Sequence, residues 1–174
     1  MSAATSILSK PNRRIATLAL VVIVLDQVTK WLVLRSLRYE DEIVVIPNFF
    51  HLVHRSNTGA AWSLFTGNNA ILAAVALVAL FALYFSRHHF SAHRLLGQFA
   101  FGLIFGGIIG NLTDRLLPGR HAVVDFLYFF MPRRGGEELG FPAFNVADSA
   151  ICTGVALIFL LNWKDDPKPV TSDR

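Results

Sequence analysis

Apolar residues gather in four long runs along this 174-residue chain, and polar residues fill the stretches between them. The first run, 15–34, is broken only by Asp26, Gln27, Thr29 and Lys30. The second, 70–85, reads AILAAVALVALFALYF and carries no charge. The third, 95–112, reads LLGQFAFGLIFGGIIGNL and is also uncharged. The fourth, 144–163, opens FNVADS and holds one acid, Asp148. A bilayer core takes about 17–25 apolar residues per helix. The pattern therefore predicts four transmembrane helices in one domain over 1–174. Asn68, Asn69 and Tyr84 are placed where the short second run meets the interface.

Between runs one and two, DEIVVIPNFFHLVHR has β-branched and aromatic stretches on either side of Pro47-Asn48, a turn signal. A small strand pair at the membrane surface is predicted over 41–55. NTGAAWSLFTGNN then predicts a short interfacial helix with Trp62 and Phe65 toward lipid. The loop from 113 to 142 contains AVVDFLYFFMP and then the polar RRGGEELG. The expected fold class is an all-α membrane protein with a small strand cradle.

Composition supports a membrane protein. Hydrophobic residues make up 53% and charged residues 16%, with mean hydropathy +0.48; the apolar share exceeds the soluble range of about 45–50%. The first run follows Lys10, Arg13 and Arg14, but it is too long for a signal peptide and no small-residue cleavage pattern follows. It reads as a retained signal-anchor. Four spans put both termini on one face. Basic residues flank the helix ends more densely there, so that face is expected to be cytoplasmic. Net charge +4 suits contact with anionic lipid; nothing resembles a nucleic-acid module. The single cysteine, Cys152, lies inside the fourth run and reads as a small buried apolar residue.

Two acids then need explaining. Asp125 sits in VVDFLYFF, with no Lys or Arg within four residues. It is either a surface acid at a loop start or a functional carboxylate, since burial in apolar surroundings is costly without a partner or a proton. Asp148 has an equally good structural reading. Asn145 can cap the fourth helix with Asp148 as its third residue, a carboxylate form of the capping box. By span count both acids reach the same membrane face. Two close carboxylates share a proton; one can take a proton from water while the other donates to a carbonyl oxygen. That chemistry needs neither metal nor cofactor.

Other candidates carry double readings. Asp26 and Lys30 are four apart and can pair, either as a neutralising structural pair or as part of a site. In GGIIGNLTDR the glycines can serve close helix packing. Asn111 and Arg115 there can cap the helix, or act as a donor and an anchor for a carboxylate or headgroup. Asn57-Thr58-Gly59 is a turn, or Asn57 positions substrate. His51 and His54 form a bare H-x-x-H without an acid at zinc-helix spacing, and no metal is expected. A Ser–Lys pair using Lys30 is not singled out by any local signature.

Taken in order, DQVTK, NTGAAWS, GGIIGNLTDR, VVDF and FNVADS resemble the bacterial lipoprotein signal peptidase family, signal peptidase II. The resemblance runs from about Asp26 to Asp148. It implies a four-helix aspartic protease of the bacterial inner membrane, with its site toward the periplasm. Such a protease removes the signal peptide of prolipoproteins just before a diacylglyceryl-modified cysteine. By motif it makes Asp125 and Asp148 the catalytic pair. Asp26, Lys30, Asn57, Gly59, Gly110, Asn111, Arg115, Asn145 and Ala147 fall at the family's other recurrent positions around the site. Expected partners are lipid-modified prolipoproteins and membrane lipids, with the enzyme acting as a monomer. The stretch MPRRGGEELGFPAFN is longer than the family pattern, and Arg133–Gly140 is expected as a loop over the site. The alternatives are a small proton-coupled transporter using the same aspartates, without the inverted repeats many transporters show, and a non-catalytic assembly factor.

Overall fold

The structure, a computed structural model, describes residues 10–59, 67–90, 92–120, 122–133 and 138–163. Its elements run α1 (Lys10–Ser36), β1 (Glu42–Ile46), β2 (Phe50–Asn57), α2 (Asn69–Ser86), α3 (Leu95–Leu116), β3 (Val123–Pro132), β4 (Glu138–Gly140) and α4 (Val146–Trp163). All four helices are long and apolar enough to cross a membrane. The interfacial helix predicted over the NTGAAWS region falls mostly on residues 60–66, outside the described residues, as do Trp62 and Phe65.

Helix α3 is the centre of the bundle. It packs against α1 on one side and α4 on the other, and it is the most buried of the four helices, with α2 the most exposed. Glycine allows this closeness. A Cβ on Gly102 would meet Leu18, one on Gly106 would meet Val22 and the Ala19 carbonyl, and one on Gly110 would meet Asp26. The α1 and α3 partners thus advance together in steps of four, a small-xxx-small seam between parallel helices. On the other face of α3, Gly107 abuts Ala147 and Ile151, while Gly154 of α4 receives Ala100 and Ile104.

The buried stripe of α1 is Ile15, Ala19, Val22, Asp26, Lys30 and Val33. Its spacing of three and four is helical, yet two of the six are charged. Leu20, Val21, Val24, Leu25, Val28 and Leu32 face outward. The two charges are inside with Ile15, Ala19, Val22 and Val33, and the outer face is apolar, the arrangement a lipid surround favours.

The strand content exceeds the prediction. The expected pair is present as β1 and β2, and β3 and β4 extend it to a four-stranded antiparallel sheet in the order β1-β2-β3-β4. The predicted turn is present: Asn48 takes a left-handed φ of 59° between β1 and β2. The apolar stretch after Val123, read as loop, is a ten-residue strand. Val123, Val124, Asp125 and Phe126 are all buried, so no alternation marks them; strands covered on both faces read as continuous apolar runs. Cys152 is exposed on α4, correcting the expectation of burial: in a span, an apolar residue is as well solvated by lipid as by protein.

Gly106→Ala should destabilise the bundle by about 1–3 kcal/mol, because the new methyl meets the Ala19 backbone, which cannot swing aside. A thermal melt in detergent checks this; an unchanged midpoint would mean that the α1–α3 seam is looser than drawn.

Candidate active site

The site begins with a backbone clamp. The amides of Phe126 and Leu127 both donate to the Phe144 carbonyl, at 3.0 and 2.8 Å, and the Phe144 amide donates back to Leu127 at 3.1 Å. This fixes the residue before Asn145 against the two residues after Asp125. It brings α4's first turn onto β3.

Asn145 is fully buried and joins the two acids. Its Nδ2 donates to Asp125 Oδ1 at 2.7 Å. Its Oδ1 accepts the Asp148 amide at 2.9 Å, and its own amide donates to Asp148 Oδ2 at 3.2 Å. The capping box is therefore formed, and the same side chain also holds the second carboxylate. Asn57 Nδ2 donates to Asp125 Oδ2 at 2.9 Å, while its Oδ1 takes the Gly59 amide at 2.9 Å. Asn111 Nδ2 donates to Asp148 Oδ1 at 2.7 Å.

Among the described residues, neither Asp125 nor Asp148 has a Lys or Arg within ion-pair distance. Arg55, opposite Asp125 in the ladder, lays its guanidinium on the Tyr128 ring at 4.7 Å instead. Asp125 is 3% exposed, so the surface-acid reading fails. Burial first, and then the negative charge of Asp148, push its pKa up to about 7, against the lowering effect of the Asn57 and Asn145 amides.

Beside the pair lies a buried charge cluster. Lys30 Nζ reaches Asp26 Oδ2 at 2.8 Å, Asp114 Oδ2 at 2.7 Å and Asn111 Oδ1 at 2.9 Å. The Asp114 contact is an ion pair without aligned hydrogen-bond geometry. Asp26 Oδ1 accepts the Ala147 amide at 3.0 Å. Gly110 leaves room for this, since a Cβ there would lie 2.7 Å from Asp26 Oδ2. Asp114 also holds Arg120 at 2.7 Å and Gln27 at 3.2 Å.

Arg115 does something other than cap its own helix or hold a carboxylate. It donates to the Gly59 carbonyl at 2.8 Å and to Asn69 Oδ1 at 3.1 Å, and Asn69 returns a hydrogen bond to the Arg115 carbonyl at 2.7 Å. It ties the segment after β2 and the start of α2 to the end of α3.

The structure thus gathers every residue singled out by the resemblance. His51 and His54 stand apart, against Glu42 at 3.2 Å and the Leu37 carbonyl at 3.1 Å. Sequence reasoning missed Asp114, Gln27 and Arg120. The signal was present for Asp114: Gly107, Gly110, Asn111 and Asp114 fall at i, i+3, i+4 and i+7, one side of a helix.

A bundle of membrane-length helices with a polar, carboxylate-bearing end defines a multi-pass membrane protein. Comparison with known proteins narrows the class. The family model of signal peptidase (SPase) II matches residues 18–164. The lipoprotein signal peptidase of Symbiobacterium thermophilum is 44% identical over 144 residues, covering 82% of this chain and 90% of that protein. The Bacillus subtilis enzyme of the same name is 35% identical over 152 residues, covering 87% and 94%. A bacterial membrane enzyme solved by the in meso method superposes with TM-score 0.74 at 32% identity, over 99% of this chain and 95% of that one. The chain belongs to the signal peptidase II family and is a peptidase.

Lys30→Met should lower stability by about 3–5 kcal/mol, because it leaves Asp26 and Asp114 buried without their shared cation. The measurement is a melt in detergent; a parental midpoint would show that the cluster is not a stabilising unit.

Proposed function

We propose that this protein is an aspartic endopeptidase that removes the signal peptide of lipid-modified prolipoproteins, cutting just before the diacylglyceryl cysteine. One observation carries the mechanism: the buried Asp125 and the half-buried Asp148 are joined through a single buried asparagine, with no Lys or Arg among the described residues within ion-pair distance of either. The relatives, named as lipoprotein signal peptidases, support the substrate class.

Charge counting supports a shared proton. Asp26, Asp114, Asp125 and Asp148 face three cations, Lys30, Arg115 and Arg120. Neutrality leaves room for one retained proton. At neutral pH and below it resides on Asp125, whose pKa is about 7. The Asp148 carboxylate, in the first turn of α4, accepts two N–H donors at the positive end of the helix dipole, which suits it to act as the base of the pair. Asp148 takes a proton from water as it attacks the scissile carbonyl, and Asp125 donates its proton to the carbonyl oxygen. Collapse of the tetrahedral intermediate returns a proton to the leaving amide nitrogen. Asn57, Asn111 and Asn145 hold both carboxylates in register. Arg115 shapes the wall through Gly59.

The basic residues near the start of α1 and the turn after α2 favour cytoplasmic termini, which puts the site at the periplasmic face of the inner membrane. The exposed apolar strand β1 lies at that same end of the bundle. A diacylglyceryl anchor confines the scissile bond to this depth, and a monomer suffices. The loop expected over Arg133–Gly140 is proposed to cover bound substrate; β4, its last part, pairs with the end of β3, and residues 134–137 lie outside the described residues.

Asp125→Asn and Asp148→Asn should each reduce cleavage of a diacylglyceryl prolipoprotein peptide by at least about 10²–10⁴-fold. Both amides keep the shape and should insert and melt as folded proteins. Near-parental cleavage by either variant removes that aspartate from the mechanism.

The pH dependence has a definite sign. The folded pKa of Asp125, about 7, exceeds the ordinary aspartate value of 3.8 that holds in the unfolded chain. The proton's stabilising contribution is complete below about pH 4 and lost as pH rises through 7. Cleavage should fall above pH 7, and Asp125→Asn should melt above the parent at pH 8. Asn57→Ala removes a hydrogen bond that favours the anion, so the alkaline limb of its residual activity should move upward. A downward move would assign that limb to another group. Chelators should leave cleavage unchanged; inhibition reversed by added zinc would refute the two-carboxylate mechanism.

A further inference from the structure

The α1–α3 seam has a rung beyond its glycines. Arg14 and Gln98 continue the same steps of four below Leu18 and Gly102, with Arg14 Nη1 donating to Gln98 Oε1 at 3.4 Å. Here the helices open into a groove of about 460 Å³. Its mouth holds Lys10, Arg13 and Arg14, and its deeper wall is Leu18, Val21 and Phe99. No acid lines it.

We infer that this groove is a binding site for an anionic phospholipid, its phosphate against Lys10, Arg13 and Arg14 and one acyl chain along Leu18, Val21 and Phe99. Four observations carry the assignment. The charge is of one sign and grouped within about one and a half helical turns, matching a phosphodiester. The charged and apolar parts are stacked along the helix: Arg14 to Val21 spans about 10 Å, headgroup depth to acyl depth. The groove opens sideways, because Val21 and Phe99 are about half exposed at 47% and 48%. Finally, Gln98 is only 3% exposed and its Nε2 donates to the His93 carbonyl at 3.2 Å. Its oxygen is thereby turned toward Arg14, which presents the guanidinium at the mouth.

A second crevice, between α1 and α2, makes the contrast. It is lined by Ile15, Ala19, Leu80 and Phe81, and its one arginine, Arg87, is committed to the Tyr84 carbonyl and ring. It has the apolar wall without a cluster of cations.

The test uses the purified full chain in neutral detergent and native mass spectrometry. Phosphatidylglycerol, phosphatidylcholine with the same chains, and inorganic phosphate are titrated separately. Phosphatidylglycerol should bind one to one, with roughly a hundredfold preference over phosphatidylcholine for three engaged cations. Inorganic phosphate should not bind at the same concentration. Raising salt to 0.5 M should weaken phosphatidylglycerol binding in the parent protein, a reading independent of any variant. Arg14→Gln should weaken it about fivefold, and the triple change Lys10→Gln, Arg13→Gln, Arg14→Gln about a hundredfold, with cleavage in lipid-free detergent unchanged. Equal binding of both lipids, equal binding of inorganic phosphate, or full binding by the triple variant would each overturn the assignment. The lipid readout does not depend on peptidase activity, so failure of the proposed function would leave this test intact.

Discussion

The Lys30 ammonium, held between Asp26 and Asp114 with no exposure to solvent, is the constraint on which the site depends. An isolated charge at this depth would be far too costly, and removing any one member leaves the others uncompensated. The cluster therefore locks α1 to α3 in one register. Asp26 extends the lock to α4 through the Ala147 amide, and Lys30 reaches Asn111. From there the order passes to Asp148. A site made of short-range hydrogen bonds inherits its geometry from one buried cation.

Asparagine suits the step from lock to chemistry. A lysine or arginine against either carboxylate would favour its anion and weaken it as a proton donor. An amide positions without adding charge. Asn57, Asn111 and Asn145 supply five of the site's hydrogen bonds from elements far apart in the chain, while leaving the pair's proton to be set by burial and mutual repulsion. Position is thus separated from protonation, as the proposed general acid–base chemistry of two like groups requires.

The two ends of the α1–α3 seam are built differently from one repeating pattern. Every fourth residue of α1 meets every fourth of α3. Cations and acids sit at one end, glycines against aliphatic side chains in the middle, and an arginine against a buried glutamine at the other. Glycine brings the backbones close in the middle, and its absence at Gln98 lets the helices part into the basic groove.

The sequence by itself determined the four helices, because length and hydropathy leave few other structures for such runs in lipid. It determined the Asn145–Asp148 capping box and the Asp26–Lys30 pair, because both are local, three and four residues apart. The motif order marked the remaining site residues. Only the tertiary structure decided that Asp125 lies in a strand, since burial on both faces erases the alternation that reveals one. Asp114 as the second partner of Lys30 is 84 residues away along the chain, and Arg115 as a tie to Gly59 and Asn69 is likewise a matter of packing. The same holds for Cys152: composition says it is in a span, but only the bundle says which way it faces. Local hydrogen bonds and hydropathy are written in spacing; partners across helices are set by which residues the seam of glycines brings within reach.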